Sequence, residues 1–403
     1  MLRFFLALLV VSVTLAHAEV IERFGKGFLE ERDGQKVLHL VGTPYERGEQ
    51  HGKLLKEQVQ KNLSLFLEGA KPKEQNERAA LFKPAIPKLL QYIPQNLIEE
   101  MKGVAKGAEV PYEKILTLNL FPEMFHCSAI TVKGNATKDG ALYHVRVLDY
   151  AIGKGLQSCA ILMVAEPDTG HAFLNVTYAG FVGSVTGMNA EKVAVGEIGG
   201  QGYGSWEGVP MAFLIRKILE EAGSLDEAKA ILQNTPRTCE YFYIISDGKN
   251  SSSTGVYATK EQIQFIEPGT NYSLLAIGQK IGTECLSPAT LQENAWQTVV
   301  LRANQTVGAL ILKQPNECLV MTGLTHPERY PVIAERLAQN FGSIDAQVLQ
   351  QVIQGPAGKD SNLHNAIFLP EKLKVWVSHA STNGEPAYAQ PYSAFSLPEL
   401  LAK

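Results

Sequence analysis

The chain has 403 residues, 45% of them hydrophobic, and a formal net charge of −4. That is globular composition, sufficient for one large domain or a domain with a helical annex, and it excludes a disordered or fibrous chain. The near-neutral balance gives no electrostatic case for nucleic acid or an anionic membrane as partner, so small or neutral substrates are expected.

The first residues read as a secretion signal. Arg3 supplies a positive start, Phe4 to Leu15 is an apolar run, and Ala16-His17-Ala18 fits the small-x-small cleavage pattern. The run is well short of the ~20 residues that span a bilayer. A mature chain from Glu19, secreted or periplasmic and without stable membrane insertion, is therefore expected. Export makes the cysteines informative. Cys127, Cys159, Cys239, Cys285 and Cys318 are odd in number, so at least one stays free, and the other four allow up to two disulfides in any of three connectivities.

After a short β-containing stretch with a strand at Val37–Val41, the apolar spacing of Leu54, Leu55, Val59, Leu63 and Phe66 predicts an amphipathic helix over Tyr45–Glu68. Helical pieces follow between Glu77 and Lys106, broken by Pro84, Pro87 and Pro94, and again over Tyr112–Leu120. Residues 19–126 thus read as a mostly helical N-terminal portion. From Cys127 the pattern changes to strands: Ser128–Val132, Ala141–Asp149, Cys159–Ala165, His171–Thr177, Gly180–Thr186 and Lys192–Glu197. Two helices come next, Pro210–Ala222 and Ser224–Asn234, the second with Ser224 and Glu227 at capping-box spacing. Strands return at Tyr241–Ser246, Thr254–Ala258, Gln262–Glu267 and Cys318–Thr322. Helices at Glu328–Asn340 and Ser343–Gln354 precede closing strands at Asn365–Leu369 and Lys374–His379. Strand runs around paired helices predict an α+β layered sandwich in residues 127–403 rather than strict βαβ alternation.

The chemistry concentrates at Cys127. A hairpin turn centred near Thr137, between Gly134 and Gly140, sets Cys127 opposite Val147, with Arg146 close by and Asp149 just past the pairing. For Arg146 and Asp149 both to reach the thiol, the strand must bulge or end near Leu148, because residues three apart otherwise face opposite ways. A neighbouring cation lowers a thiol's pKa from ~8.5 and favours the nucleophilic thiolate. Two kinds of base are open. A histidine, His126, His144 or the distant His364, could fold in. Alternatively, cutting the His126–Cys127 bond would free an α-amino group of pKa ~8 that takes the proton of its own thiol, with Asp149 holding the amine.

Several ordered segments resemble the peptidase C45 family, the acyl-coenzyme A:6-aminopenicillanate acyltransferase-like group of N-terminal-nucleophile hydrolases. They are Gly42-Thr-Pro-Tyr-Glu-Arg-Gly-Glu-Gln-His-Gly52, Cys127-Ser-Ala, Ala136-Thr-Lys-Asp-Gly140, Arg146-Val-Leu-Asp149, Ala179-Gly-Phe-Val-Gly183 and Gly187-Met-Asn189. The resemblance implies a four-layer αββα sandwich and a precursor that cuts itself before Cys127. The two chains then stay associated as a heterodimer. Related choloylglycine hydrolases imply roles for Arg146 and Asp149, and an oxyanion contribution from the turn ending at Asn189. Many relatives carry a late Thr-Asn-His segment; here the comparable stretch is Met321-Thr-Gly-Leu-Thr-His326, and Asn362 is the candidate substitute, with His364 as a substrate contact.

The implied activity is hydrolysis or transfer of a small-molecule amide or acyl substrate through an acyl-thioester on Cys127, without cofactor or metal. No Gly-x-Ser-x-Gly, His-Glu-x-x-His, Cys-x-x-Cys or phosphate loop supports a serine, metal or nucleotide chemistry. Gly199–Trp206 reads as a substrate-side loop with Tyr203 and Trp206 as aromatic anchors. A secreted binding protein that kept the sandwich without the chemistry is the alternative.

Overall fold

The computed structural model describes residues 18–68, 85–120, 126–150, 152–199, 206–275, 309–313, 316–322 and 329–402. The expectations placed on the secretion signal, Tyr203, Cys285 and positions 323–326 lie outside these residues. No helix among the described residues is long and apolar enough to cross a membrane.

The strands are β1 (Ala18–Phe24), β2 (Gly27–Arg32), β3 (Gln35–Gly42), β4 (His126–Gly134), β5 (Gly140–Asp149), β6 (Ala160–Pro167), β7 (Phe173–Tyr178), β8 (Thr186–Asn189) and β9 (Val193–Glu197). They continue with β10 (Tyr241–Asp247), β11 (Ser252–Ala258), β12 (Ile263–Ile266), β13 (Asn271–Leu275), β14 (Ala309–Lys313), β15 (Cys318–Thr322), β16 (Asn362–Leu369), β17 (Lys374–His379) and β18 (Ser393–Ser396). The helices are α1 (Pro44–Leu54), α2 (Lys56–Leu63), α3 (Ile86–Leu89), α4 (Gln95–Ala108), α5 (Tyr112–Leu120), α6 (Met211–Glu221), α7 (Leu225–Asn234), α8 (Arg329–Gln339), α9 (Ala346–Val352) and α10 (Leu397–Leu401).

Ten strands form one sheet in the order β1-β2-β3-β6-β7-β8-β9-β10-β11-β12, and six form a second, β15-β4-β5-β16-β17-β18. Their facing surfaces meet through Leu162, Val164, Leu174, Val176 and Met188 on one side and Ala366, Phe368, Val375 and Val377 on the other. Helices α6 and α7 bury Phe213, Leu214, Ile218, Ala228 and Leu232 with the ten-stranded sheet. Helices α8 and α9 bury Ile333, Leu337, Leu349 and Val352 against Ile130, Val132, Val145 and Val147. The layers therefore run αββα.

Residues before Cys127 contribute more than helices. Strands β1–β3 belong to the ten-stranded sheet, with β3 parallel to β6. The apolar run Val37-Leu38-His39-Leu40 is buried throughout, as strands covered on both faces require. The chain then enters α1 through a complete capping box: Thr43 accepts from the Glu46 N–H at 3.3 Å, and Glu46 accepts from the Thr43 N–H at 2.8 Å. Helix α1 lies in backbone contact with α4. A Cβ on Gly48 would stand 2.0 Å from the Glu100 carbonyl oxygen, and one on Gly52 would stand 2.2 Å from that of Val104. The single helix expected over Tyr45–Glu68 is broken at Leu55, a position that neither glycine nor proline marks.

The strand expected at Gly180–Thr186 does not form before Thr186. Most backbone groups of residues 179–183 are satisfied by side chains instead of a neighbouring strand, among them His51, Asn62 and Asn119.

Candidate active site

Strand β4 presents Cys127 at its start, and its pairing with β5 is offset by one residue from what the sequence predicts. Gly134 does pair with Gly140, but a bulge between Val132 and Gly134 shifts every pair beyond it, so Cys127 faces Leu148 and not Val147. A one-residue slip exchanges the two faces of a strand. Ala129 now pairs with Arg146, which brings Arg146 to the face of Cys127 between the two sheets; Asp149 turns to the opposite face.

A second bulge, in β16 between Asn362 and His364, carries the row onward: Cys127, Leu148, His364 and His379 lie side by side across four strands. Leu148 and Leu363 border an apolar pocket, whose wall also includes Phe66, Tyr178, Phe181 and Gly183. The pocket thus opens beside the strand residue directly paired with Cys127.

Arg146 is fully buried, donates to Val147 O of its own strand at 2.5 Å, and reaches across to the other sheet to donate to Glu197 Oε2 at 3.2 Å. Gly196 makes this approach possible, since a Cβ there would lie 2.7 Å from Arg146 Cδ. Arg146 was expected to lower the Cys127 pKa. It does pull in that direction, but burial outweighs it, and with Glu197 and Asp149 opposing as well the thiol is pushed up to about 12. Cys127 is thus a buried, protonated thiol.

Asp149 does not share the thiol's face as expected. It is paired in register with His126, so its backbone lies opposite the first residue of the His126–Cys127 bond. Its carboxylate forms an ion pair with Arg329 of α8, Nη1 to Oδ2 at 2.5 Å. Burial raises the Asp149 pKa, with Arg329 acting against it.

Two other expected participants stand elsewhere. Asn189 pairs with Phe173 at the far end of β7 from Tyr178, and its amide is occupied on the outer side of the sheet, donating to Leu219 O at 3.1 Å and Ala222 O at 2.7 Å. It is a clamp on the end of α6, and the geometry does not bring it to Cys127. Asn362 pairs with Asp149, two strands from β4 and so about 10 Å away. Its side chain donates to Leu148 O at 3.0 Å and accepts from Tyr388 N at 2.9 Å, away from the thiol. The bulge that follows Asn362 leaves it facing like Asp149, which is why a strand-start asparagine does not reach the cysteine.

His364 lies in the cysteine's row between the sheets. Tyr178 Oη is 2.9 Å from its Nδ1 and Thr186 Oγ1 is 3.0 Å from its Nε2. Burial holds its pKa well below the usual histidine value, helped by His379 and Arg146. His144 sits four residues along β5 from Leu148, about 13 Å away, with Ser246 as partner and a pKa lowered to about 3 by burial. It is not placed as a base for Cys127. Trp206 is 7% exposed and packs in the main core, not on a surface loop.

The sequence reading missed Glu197, Arg329 and Tyr178. Glu197 was detectable as the one charge closing the apolar run Val193-Ala-Val-Gly-Glu197. Nothing local marks the other two, because Arg329 reaches Asp149 from a helix on the outer layer and Tyr178 reaches His364 from the opposite sheet.

Comparison with known proteins follows this geometry. Residues 136–273 match the family described as acyl-coenzyme A:6-aminopenicillanic acid acyl-transferase. Protein dcd1A of Dictyostelium discoideum is 29% identical, covering 90% of this chain and 84% of that protein. Acid ceramidase of Heterocephalus glaber is 29% identical over 44% of this chain and 50% of its own length. The N-acylethanolamine-hydrolyzing acid amidase of Mus musculus is 27% identical over 44% of this chain and 50% of its own length. The chain thus spans about half of those last two relatives. The αββα layering accompanies a family match over residues 136–273, which runs through the Arg146 and Asp149 strand, and over that part the chain is similar to the acyl-coenzyme A:6-aminopenicillanic acid acyl-transferase family.

Proposed function

We propose that this chain is the precursor of a cysteine amidohydrolase or acyltransferase that cuts itself between His126 and Cys127 and acts on a linear amide with an apolar acyl group. The observation that carries this reading is the juxtaposition of the buried Cys127 thiol, the Arg146 guanidinium on the same strand face, and an apolar pocket bordered by Leu148, the cross-strand partner of Cys127. The relatives named as a ceramidase and an N-acylethanolamine-hydrolyzing amidase support an amide substrate.

A thiol with a pKa near 12 is inert as a nucleophile at neutral pH. Scission supplies what the intact chain lacks: a free α-amino group of pKa ~8 on the same residue. The amine takes the thiol proton, the thiolate sulfur attacks the amide carbonyl, and the Arg146 guanidinium favours the anionic sulfur. The protonated amine returns its proton to the leaving nitrogen as the C–N bond breaks, leaving an acyl-thioester on Cys127. Water or a second amine then attacks the thioester, with the same α-amine accepting the nucleophile's proton, and the thiol is released. Asp149 lies with its backbone opposite His126, and its carboxylate would have to turn from Arg329 to hold the new ammonium.

The chains on either side of the cut would remain together, because strands β1–β3 and helix α1 are built into the same sheet and core as the strands after Cys127. The positive start, apolar run and Ala-His-Ala motif of residues 3–18 support export to the periplasm or medium.

Intact mass of the purified protein tests the reading directly. Two chains, one ending at His126 and one starting at Cys127, are expected, and Cys127→Ser should abolish both release of amine from an N-acyl substrate and acyl-thioester formation. A single uncut chain that still hydrolyses amides would overturn the mechanism.

A further inference from the structure

The pocket wall formed by Phe181 and Gly183 belongs to a segment with no strand partner, and its backbone is held almost atom by atom from side chains. Three of these come from before Cys127. Asn62 Nδ2 donates to Ala179 O at 2.7 Å, and His51 Nε2 accepts from Gly180 N at 2.8 Å. Asn119, at the end of α5, makes the largest share. Its Nδ2 donates to Gly180 O and to Ile115 O, both at 2.9 Å, and its Oδ1 accepts from Val182 N at 2.7 Å and Gly183 N at 3.2 Å. The remaining carbonyls of Val182 and Gly183 accept from Arg216 at 2.6 Å and Asn175 at 3.0 Å.

Asn119 thus does for this segment what an adjacent strand would do, and it is 1% exposed. Buried backbone groups must be paired, so the path of residues 179–183 is set by where these side chains stand. Gly183 has little room to adjust on its other side, since a Cβ there would lie 2.8 Å from Ala212 Cβ. The pocket's width at Phe181 is therefore decided by the register of α5 against the sheet.

We propose that Asn119 is a positioning residue that sets the acyl-chain selectivity of the pocket. The selectivity filter is then built in part by the segment that precedes the nucleophile, with Asn62 and His51 as its supports. This rests on the reading of the pocket as the acyl site. An unbranched saturated acyl chain is the ligand class that its apolar wall suits.

The test uses the protein as purified and two measurements. One is binding of saturated fatty acids, from butanoate to hexadecanoate, by displacement of a fluorescent apolar probe. The other is the ratio of kcat/KM for dodecanoyl over acetyl amides of one amine. Asn119→Asp keeps the shape and the acceptor oxygen but sets a carboxylate against Gly180 O. It should lower that ratio about tenfold, which corresponds to ~1.4 kcal/mol of discrimination, and flatten the chain-length dependence of binding. Asn62→Ala should move both in the same direction by less, and stands in if Asn119→Asp does not accumulate as folded protein. An equal factor at every chain length in both variants, or no change, overturns the proposal. If the parent protein binds long acids selectively and the variant loses this, yet no amide is hydrolysed, the enzymatic reading fails and the positioning role stands. If amides are hydrolysed and no acid binds at any length, the positioning role fails instead.

Discussion

Arg216→Met tests the physics that joins the two sides of the Cys127 junction. Arg216 is fully buried and donates to Glu100 at 3.2 and 2.9 Å, to Glu220 at 2.9 Å and to Val182 O at 2.6 Å. Arg47 completes the group, contacting the same Glu100 at 2.8 Å and Glu220 at 3.1 Å. Two cations and two carboxylates are thus balanced away from water, one of each before Cys127 and one of each after it. Burial alone would raise the Glu100 pKa, but Arg216 and Arg47 more than reverse this and hold it below the usual glutamate value. Methionine keeps an apolar stem over the Phe173 ring that the guanidinium now covers at 4.4 Å, so packing is largely retained. What is lost is the charge balance: two carboxylates then face one guanidinium, and Val182 O has no donor. Removing one partner of a buried ion pair costs about 3–5 kcal/mol, which is the expected loss in urea unfolding followed by tryptophan fluorescence. The double variant Arg216→Met, Glu100→Met leaves Arg47 facing Glu220 alone and should recover at least half of that loss. A single variant within about 1 kcal/mol of the parent, or a double variant no better than the single, would show that the buried charges are not coupled as described.

Stability should fall between pH 7 and pH 5. His51 and His379 have pKa values lowered to about 4 and His144 to about 3, each mainly by burial. A histidine with a depressed folded pKa is protonated first in the unfolded chain, so the stability it supports is present above ~6.5 and is lost as pH falls toward the folded value. Each contributes about 2 kcal/mol to the loss at pH 5, readable as a falling Tm by calorimetry. An unchanged Tm from pH 7 to 5 would contradict neutral, buried imidazoles. Gly48→Ala should destabilise by about 1–3 kcal/mol, because the added Cβ would meet the Glu100 carbonyl at 2.0 Å. Gly153→Ala, with nothing within 4 Å, should be close to neutral in the same assay and serves as its control.

Local signals carried most of the elements. The cap Ser224 with Glu227, the apolar period of α6 and the hairpin glycines Gly134 and Gly140 each act through nearby neighbours, so they are readable without knowing the fold. Where the reading failed, the partner lay far off in sequence. Residues 180–185 have strand composition, yet most backbone groups of residues 179–183 are paired by side chains, among them Asn62, Asn119 and His51. The apolar run at Val37–Val41 gave no sign that its strand would lie parallel to β6 in the large sheet.

The amino-acid sequence by itself determined that Cys127 begins a strand and that a hairpin returns Arg146 and Asp149 beside it. Only the tertiary structure decided which of the two shares its face. The bulge between Val132 and Gly134 shifts the pairing by one, and because successive side chains alternate across a strand, that shift gives Arg146 to the thiol and Asp149 to Arg329. The contacts that complete the site, Glu197 on Arg146 and Tyr178 on His364, cross from one sheet to the other. Packing between sheets has no local period in the sequence, so those partners become visible only when the layers close.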